Sequence, residues 1–395
     1  MAHRKPLIEF PGWQILTLYV VLTIVASIQC YYGNIIPAGH TGKIYHNYNN
    51  YIIFKNSFIH LLEGKDLYGY FPNEQWDLYK YSPTFAFSFG LMAGLPDFIG
   101  LVIWNLLNSL PLALGVLQLK HLTRRQKFYS LIFCAPELLN NMQNAQSNGL
   151  VAGLFILTFA SLENRKYFAS AFFLVFSIFI KIYGGIGLLL FAFYPGKRRL
   201  LFYTLVWFLL LGASPLLVRT WESMAGLYTS WGNLLQTDQV HSTGLSVMSI
   251  LKTWFKVNVP NILVEGIGAL LLLLPLTRLV KYKEYGFRLL FLCACLIGVV
   301  IFNYKAESAT YIIPFCGITL WFFSSSKTIT KKIIFIGSFC LTSVLTSDLV
   351  PRAVRLVGDA YYFKAAASLF VYICIFYELF SEKYYINTPR KKLVL

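Results

Sequence analysis

Three carboxylates, Asp66, Glu74 and Asp77, stand among Tyr68, Tyr70, Phe71, Trp76, Tyr79 and Tyr81. Aromatic rings stack on the apolar faces of pyranoses, and carboxylates accept hydroxyl protons, so this stretch suits a sugar site. The same residues also describe an aromatic belt with solvated acids. A second polar cluster follows Pro136-Glu137: Asn140, Asn141, Gln143, Asn144, Gln146 and Asn148. Such an amide-rich turn can hydrogen-bond sugar hydroxyls or simply cap two helices. A third is Asn303-Tyr304-Lys305-Ala306-Glu307-Ser308, which sets a lysine and a glutamate at the edge of an apolar run. Ionisable residues at such an edge call for a functional reading. Lys181, Arg352 and Arg355 sit at similar edges, where pairing with a lipid phosphate or snorkelling to ordinary headgroups both account for a cation. His241 precedes a short helical stripe, and a lone histidine is more often structural than ligand-contacting.

The elements that must position these residues are apolar helices. Of 395 residues, 57% are hydrophobic and 13% charged, against nearer half and a quarter in soluble domains. Runs long enough for a bilayer recur along the chain, which reads as a single membrane domain over 1–395. Spans are expected near 12–31, 82–97, 98–118, 128–140, 148–162, 167–181, 183–195, 200–218, 261–280, 288–303, 308–324, 332–347 and 361–380. The first is longer than a signal-peptide core and reads as a retained helix.

The net charge of +17 would point to nucleic acid in a soluble chain. Here Lys and Arg cluster between apolar runs: His3 to Lys5, Lys120 to Lys127, Arg165-Lys166, Lys197 to Arg199, Arg278 to Arg288, Lys327 to Lys332, and Lys383 to Lys392. That is the positive-inside pattern, so no nucleic-acid partner is expected. From residue 120 onward the clusters are two runs apart, which places them all in the cytoplasm. With the N-terminus inside, 82–118 must then cross only once although it holds two runs, so one run is re-entrant or internal. About twelve crossings result, with both termini cytoplasmic. The outside receives two long loops, about 32–81 and 219–260, rich in Tyr and Trp.

Residues 48–63 of the first loop have helical periodicity. Tyr51, Phe54, Phe58, Leu61 and Leu62 share one face; Asn49, Asn56, His60 and Glu63 share another. An amphipathic helix of this kind lies on a membrane surface or covers the bundle. In the second loop Val247, Met248, Leu251, Trp254 and Phe255 mark a similar stripe beside Lys252 and Lys256. The seven cysteines fall in or beside apolar segments without metal or disulfide spacing, so they read as buried small hydrophobes. Phosphate-loop, dinucleotide, zinc and nucleophile-elbow motifs are absent, and no clustered acidic motif suggests a tight metal site. The expectation is therefore no cofactor, with any donor drawn from the membrane itself.

Four stretches resemble glycosyltransferase family 87, whose members have the GT-C membrane fold. They are EGKDLY followed by YKYSPTFAF, NNMQNAQSNGLVAGLFIL, KIYGGIGLLLF and HSTGLSVMSIL, in the family's order along nearly the whole chain. NYKAES and SDLVPR look like a branch found in Bacteroidetes-type bacteria. The resemblance implies an all-α, multi-pass enzyme of the bacterial inner membrane. It implies a polyprenyl-phosphate donor, often of mannose, and a lipid-linked or envelope-glycan acceptor on the extracytoplasmic face. Transfer inverts the anomeric carbon. The family's catalytic aspartate falls near Asn49 or Asn50 here, and asparagine is no base. The candidates for that role are Asp66, Glu307 and Asp77, in that order. Candidates for binding substrate are Asn49, Asn50, His60, Gln143, Asn144, Gln146, Lys181, His241, Lys305 and Arg352. A transporter or lipid flippase, or a glycan polymerase or ligase, is the alternative. A transporter would favour polar residues in mid-helix and internal repeats, whereas polar residues here gather at the outer edge.

Overall fold

A computed structural model describes residues 12–33, 36–38, 43–237 and 243–381. The chain is a nearly all-helical membrane protein, because a segment in hydrocarbon must satisfy its own backbone hydrogen bonds. Helix α1 (Gly12–Tyr31) leads into strands β1 (Ile36–Ala38) and β2 (Lys43–Tyr45). These pair antiparallel with Ile36 opposite Tyr45, a small ribbon that the all-helical reading did not contain. Helix α2 (Asn49–Glu63) follows, and the 82–97 run is broken into α3 (Pro83–Ser88) and α4 (Gly90–Ala93). Six and four residues are far short of the ~20 a bilayer requires. The full-length helix of this region is α5 (Asp97–Gln118).

Then come α6 (Arg124–Gln143), α7 (Asn148–Glu163) and α8 (Tyr167–Ile180), a 3₁₀ helix over Ile182–Phe193, and α9 (Lys197–Gly212). The second loop carries α10 (Trp221–Thr237) and α11 (Val247–Trp254). The chain closes with α12 (Asn261–Leu273), α13 (Tyr285–Ile301), α14 (Ile312–Ser324), α15 (Ile329–Phe339), α16 (Arg352–Ala360) and α17 (Phe363–Ser381). Among the described residues four helices are long and apolar enough to cross a membrane: Gly12–Tyr31, Asp97–Gln118, Lys197–Leu217 and Phe363–Ser381. Six shorter apolar helices accompany them.

The shorter helices form the centre. Every residue of α7 except Glu163 is buried, as is all of α14 and nearly all of α13. Helices apolar all round belong in such a position. Gly149 and Gly153, four apart, bring α7 against α5: an added Cβ would meet the Asn108 carbonyl at 2.9 Å and the Leu112 nitrogen at 2.6 Å. Small residues at this spacing are how membrane helices approach closely. The outward faces carry exposed Leu201, Leu205 and Leu209 on α9, Ile262 and Ile267 on α12, and Ile333 and Ile336 on α15, which suits lipid. Five cysteines are buried and Cys374 is half-buried, but Cys340 is exposed in the π-helical turn that ends α15, contrary to expectation.

The basic clusters from Lys120 to Lys332 gather at one end. There the Arg288 guanidinium grips Glu163 through Nε at 2.6 Å and Nη2 at 2.9 Å, and Lys120 donates to the Glu163 carbonyl. Lys331 meets Glu378 at 2.9 Å, where Trp321 Nε1 also donates. The clusters at 3–5 and 383–392 lie outside the described residues. The two long loops meet at the opposite end. Trp231 Nε1 donates to the Lys80 carbonyl at 3.3 Å, and the Tyr228 and Thr84 hydroxyls lie 2.7 Å apart.

Candidate active site

The first loop folds as a covered helix. The α2 stripe of Tyr51, Phe54 and Leu61 is buried, with the Phe54 ring among Tyr81, Phe85, Phe89 and Trp104. Apart from exposed Glu63, the polar face is not left to solvent. Residues 71–77 lie across it, so Asn49 and His60 are buried as well. His60 Nε2 pairs with Glu74 Oε2 at 2.7 Å and its ring rests on Phe71. Asn49 Oδ1 accepts from the Trp76 N–H at 3.2 Å. These bonds replace the water that a surface-lying helix would keep, and they fix the ring-bearing coil in place.

The amide turn is the centre of the loop end. Its backbone reverses at Ala145, whose positive φ of 48° is unusual for a residue with a side chain. Trp104 Nε1 holds the Ala145 carbonyl at 2.8 Å. Asn141 Nδ2 holds the Gln146 carbonyl at 3.2 Å, and Asn141 Oδ1 accepts from the Asn148 N–H at 3.1 Å. The turn is thereby locked, and two of its side chains, Gln146 and Asn148, carry a chain of three hydrogen bonds. Lys181 Nζ donates to Asn148 Oδ1 at 2.6 Å, Asn148 Nδ2 donates to Gln146 Oε1 at 2.7 Å, and Gln146 Nε2 donates to Glu307 Oε2 at 2.6 Å. A cation and a carboxylate are thus joined through two amides.

Each end of that chain keeps capacity for a ligand. Glu307 is exposed and starts a 3₁₀ turn, its side chain and Thr310 exchanging bonds with each other's backbone N–H. Lys181 stands between α8 and the 3₁₀ helix, its ammonium 5.9 Å from the Tyr81 ring centre and 5.7 Å from that of Tyr183. Among the described residues no carboxylate lies within ion-pair distance of it. Burial lowers the Lys181 ammonium from near 10.5 to about 8, with the Glu307 carboxylate opposing. Burial pushes the Tyr81 phenol up, and Glu307 and Asp77 add to the effect. The buried Tyr183 hydroxyl has no hydrogen-bond partner among the described residues.

The second loop seats against the Glu307 segment. Gly244, at φ 53°, lies so close that an added Cβ would collide with the Tyr304 carbonyl. Leu245 N–H donates to the Ala306 carbonyl at 2.7 Å, and the Tyr311 hydroxyl donates to the Leu245 carbonyl at 2.7 Å. Behind it, Lys364 Nζ and Glu137 Oε2 form a buried pair at 2.9 Å. Lys364 also donates to Ser308 Oγ at 3.2 Å, next to Glu307.

The family model described as "Glycosyltransferase family 87" matches residues 79–302, more than half of the chain. The chain belongs to glycosyltransferase family 87. No curated protein matches it. The range shared with family 87 opens two residues before Tyr81 and contains Gln146, Asn148, Lys181 and Tyr183. It ends at Phe302, so Glu307 and the α2 helix of this family 87 chain lie outside it.

Of the residues expected from sequence, Gln146, Lys181 and Glu307 come together. Asn50 Nδ2 reaches the Asn144 carbonyl at 2.9 Å, which sets the start of α2 beside the amide turn. Asn49 and His60 are taken up in binding the first loop to itself. Asp66 is exposed, and Oδ1 accepts from the Tyr68 N–H at 3.2 Å in a local turn. Asp77 is exposed and pairs with Lys80 at 3.0 Å. Gln143 Nε2 bonds Gln29 at 2.7 Å, and Asn144 Nδ2 bonds its own helix at the Asn140 carbonyl. The Lys305 ammonium lies 5.3 Å from the Tyr304 ring centre. Arg352 is exposed at the start of α16, and His241 lies outside the described residues. Sequence reasoning passed over Tyr183 and Lys364. Lys364 had a signal, because a lysine inside the apolar run 361–380 requires a partner.

Proposed function

We propose that this glycosyltransferase moves a hexose, in the family's pattern a mannose, from a polyprenyl-phosphate donor to a lipid-linked or cell-envelope glycan acceptor, with inversion. The loop end is the extracytoplasmic face of a bacterial inner membrane. The chain crosses about twelve times as one domain, and both termini are cytoplasmic. The observation that carries the reading is the chain of hydrogen bonds from Lys181 to Glu307, with the Tyr81 and Tyr183 rings beside it.

The chemistry needs one base and one cation. Glu307 accepts the proton of the acceptor hydroxyl as its oxygen attacks the anomeric carbon from the face opposite the phosphate. The bond from that carbon to the phosphate oxygen breaks, its electron pair stays on the phosphate, and Lys181 stabilises the charge. Glu307 thereby takes the place of the aspartate that Asn49 and Asn50 cannot supply, ahead of Asp66 and Asp77. Lys305 flanks the acceptor side, and the Tyr81 ring offers a stacking face for the sugar.

Purified protein given a radiolabelled polyprenyl-phosphate hexose and a membrane glycolipid fraction transfers label on this reading. Glu307→Gln keeps the hydrogen bond to Gln146 but removes the base, and transfer drops by about 10²–10⁴-fold. Wild-type turnover in that variant would reject Glu307 as the base.

A further inference from the structure

A second site lies at the basic end, away from Glu307. The turn between α7 and α8 and the first turns of α9 border an open cavity of about 700 Å³. Arg165, Lys166 and Arg199 line it with Tyr167, Phe168 and Tyr203. Among the described residues, no carboxylate pairs with these three cations. The acid nearest in sequence, Glu163, is engaged in both oxygens by Arg288. Lys197 and Arg198 add two further charges beside the cavity.

The local backbone is costly for what it holds. Arg165 ends α7 at φ 57°, a conformation that favours glycine. Its N–H donates to the Leu162 carbonyl at 2.9 Å, and the next N–H, of Lys166, donates to the Ser161 carbonyl at 2.8 Å. An arginine in a glycine position at a cavity mouth is a strained choice that points to a role for its charge. The wall beside it is a fixed set of rings. Phe168 lies 5.4 Å from Tyr203 and 4.9 Å from Trp207, whose indole N–H donates to the Phe168 carbonyl. Further along the same face of α9, three and seven residues beyond Tyr203, come half-buried Val206 and exposed Leu210.

Cations, then rings, then aliphatic side chains along one surface match the order of phosphate, ester region and acyl chain in a phospholipid. We propose that this cavity holds the headgroup of an anionic phospholipid, with its acyl chains along α9. A soluble phosphate would meet the cations but would leave Val206 and Leu210 on the same face of α9 without a role.

The test extracts the full chain from bilayers of mixed phosphatidylcholine and phosphatidylglycerol and counts retained lipid by native mass spectrometry. Wild type retains phosphatidylglycerol in preference to phosphatidylcholine. The Arg165→Gln/Arg199→Gln double variant, with unchanged thermal unfolding in detergent, retains it about thirtyfold more weakly, as expected for losing two headgroup contacts. Lys327→Gln removes a cation of the same end outside the cavity and retains lipid as wild type does. Should the double variant not fold, Arg199→Gln alone carries the test with about a fivefold loss. Undiminished retention in the variants, an equal loss in Lys327→Gln, or displacement of the lipid by inorganic phosphate would each overturn the proposal.

Discussion

Replacing Lys181 by methionine tests the site at its least ordinary group. The ammonium is held by one amide oxygen, Asn148 Oδ1, and by no carboxylate among the described residues. Methionine keeps most of the volume between the Tyr81 and Tyr183 rings, so the change isolates the charge. A charge-assisted hydrogen bond to a phosphate contributes about 1.5–3 kcal/mol, and kcat/KM for transfer falls by about tenfold to a hundredfold. The pH dependence makes the prediction specific. Lys181 loses its proton at about pH 8 in the free enzyme, whereas the donor's phosphodiester keeps one charge throughout this range. Wild-type kcat/KM therefore declines as pH rises through about 8. Lys181→Met is low at every pH and lacks that limb; Lys181→Arg keeps its charge and stays active above it. Stability moves the other way. The folded chain releases this proton near pH 8 and the unfolded chain near 10.5, so stability rises with pH between them, by at most roughly 3 kcal/mol. The assay is label transfer from a polyprenyl-phosphate hexose in detergent between pH 6 and 10. A Lys181→Met enzyme that keeps wild-type kcat/KM, or still shows the decline near pH 8, would refute the assignment.

Further expectations concern other residues. Asp66→Asn changes transfer by less than about threefold, because the exposed side chain keeps an Oδ1 acceptor for the Tyr68 N–H and loses only its charge; a hundredfold loss would favour Asp66 as the base. Glu137→Gln leaves Lys364 buried beside a neutral partner and costs about 3–5 kcal/mol, read as a lower Tm in detergent. Unchanged Tm would mean the pair is not buried as described. Gly100→Ala sets a methyl group on the Tyr51 hydroxyl, which is itself buried, and destabilises the seat of α2 on α5 by about 1–3 kcal/mol. Restored stability in Gly100→Ala/Tyr51→Phe would confirm the collision, and equal Tm of wild type and the single variant would dismiss it.

Much of the scaffold was legible because hydrocarbon imposes a simple demand on sequence. Run lengths and basic clusters located the helices and singled out 82–118 as holding one apolar run too many, which the structure meets by breaking 82–97 into α3 and α4. The α2 periodicity was legible as well. Its polar face was not, since burying His60 depends on Glu74 and Phe71 returning over it, and periodicity carries no information on tertiary cover. Among the candidates for the base, Glu307 stood between Asp66 and Asp77 in the order read from sequence. What sequence could not show is a fold-level contact: the turn carrying Gln146 approaches the start of the 3₁₀ turn at Glu307, which lies far along the chain. Lys181 stood out as a cation at an outer edge, but its amide partner depends on the packing of α7 against α8, and the Tyr81 ring on the seating of the start of α3 against α8.

The 3₁₀ helix at Ile182–Phe193 has a mechanical consequence. Twelve residues in that form rise about 24 Å, against about 18 Å as α-helix. One neighbour of this segment is Lys181, in the candidate site; the other is Tyr194, whose hydroxyl is tied to Glu163 at the far end. The choice of hydrogen-bond pattern, and not the number of residues, therefore sets the span between the two surfaces of this half of the molecule. A sequence change that relaxed the segment to α-helix would shorten this strut by about 6 Å without deleting an atom of backbone, and either the lysine or the tyrosine would have to leave its anchor.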